Sequence, residues 1–323
     1  MSALFRRCAP LAAVFLALVA FQARADYPER PIRVIVPFPA AGSADQVSRV
    51  LAPVVAKSLG QPLVIENKAG AGGAIGMEAA AKSPPDGYTL VLASIGPMSI
   101  LPARPNLGYE PLRDLAPITL LTTNPFLVVV HPSVPATSIA EFIAHLKANP
   151  GRLNYASVGN GSLGHLAGEL FKSQAGVDMV HVPFRGGAPA LQDTIAGHTQ
   201  VMFANINEAL PYVKAGRLRA LAVTSRQRHP VVPTIPTLDE SGLAGYEAIA
   251  WNGIAAPAGT PPEIIERLRS EMDKALRSPA SEKTFADLGV TPVSSTPAAF
   301  ADLVRKEQTK WGDLIKKLNL KLE

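Results

Sequence analysis

Four times along this chain a short run rich in β-branched residues stops at a glycine-rich junction, and an amphipathic stretch follows it. Residues 32–36 (IRVIV) run into 37–45 (PFPAAGSAD), after which Val47, Val50, Leu51, Val54, Val55 and Leu59 recur at three- and four-residue spacing. Residues 63–67 (LVIEN) lead through Ala69-Gly70-Ala71-Gly72-Gly73 into an alanine-rich stretch near 75–82. Residues 153–158 (LNYASV) reach Gly159-Asn160-Gly161-Ser162-Leu163-Gly164 before 165–175, and 180–184 (VHVPF) reach Arg185-Gly186-Gly187 before 188–196. Strand, glycine turn and helix in repetition give a parallel α/β sheet with helices on its faces. Further strands are predicted at 88–93, 126–130, 201–203 and 218–224, and a proline-rich loop at 230–236. A helix over 139–148 is opened by Thr137-Ser138, with Glu141 spaced for a capping box. Ile264, Ile265, Leu268 and Met272 mark another helix, and Phe300, Leu303, Val304, Trp311, Leu314, Ile315 and Leu318 mark the last.

The first 25 residues do not fit this pattern. Arg6 and Arg7 precede a 12-residue apolar run at 10–21, and Ala23-Arg24-Ala25 supplies a small-x-small cleavage site. That is an export signal, cut after Ala25. As a helix the run would reach only about 18 Å, short of a hydrocarbon core of about 30 Å, so it is no membrane anchor. Cys8, the single cysteine, leaves with it; disulfides, thiol nucleophiles and cysteine metal sites are thereby excluded from the exported chain. Without Arg6, Arg7 and Arg24, 28 basic residues face 26 acidic ones, so the basic balance disappears and with it a nucleic-acid footprint. With 323 residues the chain is about twice a usual domain, and two lobes are expected.

The chemistry lies in the four junctions. The first turn of each helix leaves backbone N–H groups unpaired and carries about half a positive charge. Glycine lets a ligand approach that backbone. All four junctions lie at carboxyl ends of strands, two in each lobe, so they can face one crevice and hold a small anion there. Other readings compete. Gly70-Ala71-Gly72 begins a dinucleotide fingerprint, but Ile75 holds the third glycine's place. Asn160-Gly161-Ser162-Leu163-Gly164 nearly matches a nucleophile elbow, which makes a secreted hydrolase using Ser162 and His165 the alternative to a binding protein; Ser162 as a helix N-cap is the plainer role. His131, His145, His165, His181, His198 and His229 form no metal-binding spacing, so neither metal nor cofactor is expected. Asp45 suits a capping role first and ligand contact second. Trp251 fits either the crevice or the core, and Arg185 either a ligand carboxylate or solvent.

Several motifs together resemble one family: Tyr27-Pro28-x-Arg30-Pro31-Ile32, Pro37-Phe38-Pro39 with Asp45, and Glu66-Asn67-Lys68-x-Gly70-Ala71-Gly72-Gly73. Pro85-Asp86-Gly87-Tyr88-Thr89-Leu90, His165-Leu166-Ala167-Gly168-Glu169, Leu221-Ala222-Val223-Thr224-Ser225 and Ala256-Pro257-x-Gly259-Thr260-Pro261 complete the set. The sequence is similar, over essentially the whole exported chain, to the Bug-type receptors of tripartite tricarboxylate transport systems. The resemblance implies a two-lobe periplasmic-binding-protein-like α/β fold of type II with the ligand cleft between the lobes. Residues 26–124 would form the first lobe, 125–227 the second, and 228–323 would return to the first. It implies a monomeric, periplasmic receptor that performs no chemistry, with a small organic carboxylate as ligand and a membrane permease, or alternatively a membrane sensor, as partner. The ligand would be a mono- or dicarboxylate, an aromatic acid or an amino acid.

The resemblance also implies the site. One carboxylate would be held by main-chain donors around Phe38, Ala40, Ala41, Gly42 and Ser43, near Asp45, and by Ala71, Gly72 and Gly73, with Ser94 beside them. Ser157, Asn160, His165, Arg185, Gly186, Gly187, Ala204 and Asn205 would grip the far end. Two departures from the family pattern stand out: Ala41-Gly42 replaces paired glycines, and Ala204 replaces a frequent aspartate. An aspartate there could meet a ligand ammonium, so its loss disfavours an amino acid, unless Glu208 compensates.

Overall fold

A computed structural model describes residues 27–322. The export signal, its cleavage site after Ala25, and Cys8 lie outside the described residues. No helix among the described residues is long and apolar enough to cross a membrane.

Strand β1 (Ile32–Val36) pairs in parallel with β2 (Leu63–Asn67) on one side and β3 (Thr89–Ser94) on the other. The intervening helices are α1 (Ser43–Leu59) and α2 (Ala74–Ala81). The buried stripe of α1, including Val47, Leu51, Val55 and Leu59, is the one its spacing predicts, and Gly60 ends it in the left-handed conformation. A second parallel set comprises β5 (Asn154–Ser157), β6 (Val180–Pro183) and β7 (Val201–Asn205), joined through α4 (Leu163–Ala175) and α5 (Gly187–Ile195). Before it runs α3 (Ile139–Ala148), whose N-cap Ser138 accepts from Glu141 N. Glu141 itself reaches back to the N–H and hydroxyl of Thr137, one residue earlier than a capping box requires.

The two parallel sets are welded by long antiparallel strands. β4 covers Leu115–Val130, far more than the predicted 126–130, and β9 (Ile249–Pro257) is a strand the sequence reading did not place. The sheet order is β2-β1-β3-β9-β4-β7-β5-β6, and β8 (Arg219–Val223) and β10 (Thr291–Pro292) also pair with β4. β4 changes partners midway: Leu115 to Pro125 lie against β9, and Phe126 to Val130 against β7. Pro125 has no N–H to give a ladder. The next donor, Phe126 N, goes instead to the Thr224 hydroxyl at 2.8 Å, which in turn donates to Ala248 O at 2.6 Å. One side-chain hydroxyl therefore ties together the three chain segments that meet where β4 changes partners.

Helix α6 (Ile206–Lys214) follows β7 directly, and α7 (Pro262–Leu276), α8 (Pro279–Leu288) and α9 (Pro297–Leu318) close the fold. α9 buries Phe300, Val304, Trp311 and Ile315, and Phe300 meets Trp251 of β9 edge-on at 5.3 Å between ring centres. The largest apolar cluster draws on both parallel sets, with Ile35 and Val91 from the first and Tyr155 and Phe203 from the second, so the core is continuous beneath the cleft. The α/β class is the one the sequence patterning gives, but the sheet is mixed and not parallel throughout, because β4 and β9 run antiparallel through its middle.

Candidate functional site

All four junctions sit at the carboxyl ends of their strands, around one cleft. The first, after β1, is braced by Asp45, which is 2% exposed. Its Oδ2 accepts from Ala41 N at 2.9 Å and Arg49 Nε at 2.8 Å, and its Oδ1 accepts from Asn67 Nδ2 at 2.9 Å. Asn67 Nδ2 also donates to Phe38 O at 3.1 Å, so the end of β2 is tied to the loop after β1. Burial alone would raise the Asp45 carboxyl, but Arg49, the Ala41 N–H and Asn67 bring it below the ordinary aspartate value. Both oxygens are engaged in shaping the loop. The second junction takes positive φ at four successive residues, Gly70 to Gly73, including Ala71 at 49°; this curl turns the chain into α2 and is the reason for its glycines.

The third junction rests on a buried scaffold. Ser162 caps α4, accepting from His165 N at 3.3 Å. His165 Nδ1 accepts from Gly161 N at 3.3 Å, and its ring stacks on His181 with centroids 4.0 Å apart. Ser157 Oγ bonds His181 Nε2 at 2.6 Å and accepts from Gly159 N at 3.1 Å. Burial lowers the pKa of both imidazoles, that of His181 to about 3 with His165 and Lys172 adding to the effect, so both rings are neutral. Ser162 and His165 are thus a cap and a packed ring, joined through the backbone N–H and not as nucleophile and base. The fourth junction leaves Arg185 exposed.

The cleft has two adjoining chambers. The inner one, of about 80 Å³, is lined by Phe38, Ala40, Gly42, Ser43, Gly72, Ser94, Gly187 and Asn205 among the anticipated residues, and also by Phe126, Ser162, Glu208, Trp251 and Asn252. The outer one, of about 740 Å³, takes Ala71, Gly73, Asn160 and Arg185, with Arg104 and Leu322. Phe38, Pro39, Gly72 and Val158 border both. Asp45, Ser157, His165 and Gly186 are buried behind the wall, and Ala41, exposed to solvent, lines neither chamber. Ala204 is 0% exposed and packs in the apolar cluster with Leu127 and Met202, and it is the next residue, Asn205, that faces the cleft. Asn205 Oδ1 is held by Asn124 Nδ2 at 2.7 Å.

The cleft is bridged. Ser43 N donates to Glu208 Oε1 at 2.6 Å, Ser43 Oγ to Asn207 Oδ1 at 3.0 Å, and Asn207 Nδ2 to Gln46 Oε1 at 2.9 Å. These bonds join the first turns of α1 and α6. The sequence pattern points to Glu208 only as a neighbour of Ala204, and leaves Trp251 between the crevice and the core. It fills both, being 2% exposed against Phe300 and also on the inner wall. Asn252, and Phe126 in any role beyond its strand, carry no sequence signal for the site, because neither β9 nor the change of partners in β4 can be read from local pattern.

Residues 47–320 match the model of the tripartite tricarboxylate transporter family receptor. The chain belongs to this family. Protein BugT of Bordetella pertussis is 39% identical over 299 residues, covering 92% of each chain. A solved structure described as a periplasmic transporter is 39% identical with a TM-score of 0.89, over 92% of this chain and all of that one. The structure of Rpa4515 from R. palustris with adipate is 34% identical with a TM-score of 0.88, over 90% of this chain and 98% of that one.

Proposed function

We propose that this receptor captures a small organic carboxylate in the inner chamber by closure of its two halves and presents it, as a periplasmic monomer, to a membrane permease of the tripartite tricarboxylate type. The observation that carries this reading is the convergence of the N-terminal turns of α1, α4 and α5 with the curled 70–73 loop on a single chamber. Unpaired N–H groups at such turns bind a carboxylate without a lysine or arginine, and none lines that chamber. The partner that the R. palustris relative holds, adipate, belongs to the same chemical class. Residues 26–124 and 228–323 would move as one lobe and 125–227 as the other. The change of partners at Pro125 of β4 and the return near Thr224 support those limits. The anticipated site residues divide by role: main-chain donors of Phe38, Ala40, Gly42 and Gly72 hold one carboxylate, the Ala41 and Ser43 N–H groups being taken by Asp45 and Glu208, and Asn205 with the Gly187 turn contacts the opposite side.

Thermal unfolding of residues 26–323 against mono-, di- and tricarboxylates, aromatic acids and amino acids tests this. A ligand at one hundred times its dissociation constant adds about 2.7 kcal/mol of stability. A rise in melting temperature with one acid class is expected; no rise with any acid, after unfolding and refolding to strip a carried ligand, refutes it.

A further inference from the structure

Among the residues lining the inner chamber, Glu208 is the one ionisable side chain. Its carboxyl is only half used. Oε1 accepts the Ser43 N–H, while Oε2, fully buried, has no partner of hydrogen-bond geometry among the described residues; the Asn205 amide lies near the carboxyl and acts on its charge without closing such a bond. A second residue of the same wall, Trp251, also carries an unpartnered buried polar atom, the donor Nε1. Buried polar groups are almost always paired, so two such atoms on residues of one chamber wall point to a ligand that pairs them when it enters.

The surroundings of Glu208 decide its charge. α1 brings Gly42 and Ser43, α5 brings Gly187, β7 brings Asn205, and its own helix brings Asn207, all uncharged. Asp45 of α1 is occupied with Arg49, and Arg185, two residues before Gly187, lines the outer chamber. Burial pushes the carboxyl above the ordinary glutamate value, against the pull of Ser43 N–H and Asn205, and no charged neighbour contributes. A side chain at Gly187 would overlap both carboxyl oxygens, so glycine there keeps the place open for them. A ligand carboxylate accepts readily from Trp251 Nε1–H, but beside an ionised Glu208 it would put two like charges into a chamber without a cation.

We propose that Glu208 acts as a neutral carboxylic acid that donates its Oε2 hydrogen to the bound carboxylate, with Trp251 Nε1–H as a second donor, so that the preferred ligand lacks an ammonium group and its capture takes up a proton. This rests on the carboxylate-receptor reading above. The proton comes from solvent whenever Glu208 of the empty receptor is ionised, and it returns there when the ligand leaves. A ligand ammonium would reverse the preference, because it would call for the anion.

Titration calorimetry of the exported chain with adipate, succinate and benzoate, from pH 6 to 9 in buffers of different ionisation enthalpy, provides the test. The wild type should lose affinity by up to tenfold per pH unit once the pH passes the Glu208 pKa, with proton uptake approaching one per ligand. Glu208→Gln puts an amide donor in the same place. It should bind several-fold more weakly at pH 6, with no pH slope and no proton uptake, and its melting temperature shows whether it is folded. Wild-type binding that is flat with pH overturns the role of Glu208 and leaves the receptor reading standing. So does a slope that survives in Glu208→Gln. L-aspartate bound more tightly than succinate, and more so at high pH, overturns it in favour of an anionic Glu208. Absence of binding to every acid at every pH overturns both.

Discussion

Ala41 carries the backbone of the first binding loop at a φ of 65°, in the left-handed region, although it is not glycine. The loop cannot relax by rotating, because the Ala41 N–H is fixed on Asp45 Oδ2 at 2.9 Å. An L-residue held there costs about 1–2 kcal/mol. Glycine escapes that cost but brings back about 0.4–1 kcal/mol of unfolded-chain freedom. The methyl group of Ala41 is exposed, so its removal forfeits no burial. Ala41→Gly should therefore stabilise the protein by about 0.5–1 kcal/mol, the difference between those two costs. Urea unfolding followed through the buried Trp251 and Trp311 reads this as a higher midpoint with an unchanged slope. Ala286→Gly, on the exposed face of α8, is the control and should lose up to about 1 kcal/mol. If both substitutions lower the midpoint alike, the loop is not strained and the reasoning fails.

Two further outcomes follow from buried groups. Asp45→Asn turns one of two acceptor oxygens into a donor facing an N–H group, and should cost about 2–3 kcal/mol in urea unfolding at pH 7. Because the folded pKa of Asp45 is lowered, the wild type's advantage over Asp45→Asn is present above the unfolded aspartate value and should shrink as the pH falls below it. His181 is neutral in the fold, with a pKa pushed down to about 3, so the unfolded chain binds its proton first. Melting temperature should fall as the pH drops from about 6.5 towards 3, and less steeply in His181→Asn; equal slopes would refute the assignment.

What could be read from the sequence was local. A β-branched run, a glycine turn and a 3.6-residue stripe lie within about thirty residues of one another, as in 32–59, and neighbours alone enforce them. β9 was not legible because Asn252, Gly253 and a run of alanines have little strand preference. Eight of its nine residues are buried, and β3 and β4 on either side impose the conformation. The first half of β4 was hidden for a similar reason: Pro117 and Pro125 argue against a strand, and the register shifts beside Pro117 accommodate the first of them. At the site, the junctions were legible and the side chains that meet between them were not. Ser43 and Glu208 are 165 residues apart in sequence. The family pattern directed attention to Ala204, but in a strand adjacent residues face opposite ways, and the cleft lies on the side of Asn205.

The position of β9 bears on when this chain can fold. It is inserted between β3 and β4, yet it is made after every strand of the second parallel set. Once residue 223 has been synthesised, β4 can already collect β7, β8 and, through β7, β5 and β6. The half containing β1, β2 and β3 still has an open edge beside β3 and cannot be completed before residue 257. Long-range pairing of this kind is slow in any case. A sheet whose central strand is made late leaves β3 without its second neighbour until about four-fifths of the chain exists, so the two parallel sets are joined into one sheet only by the last part of the chain to be made.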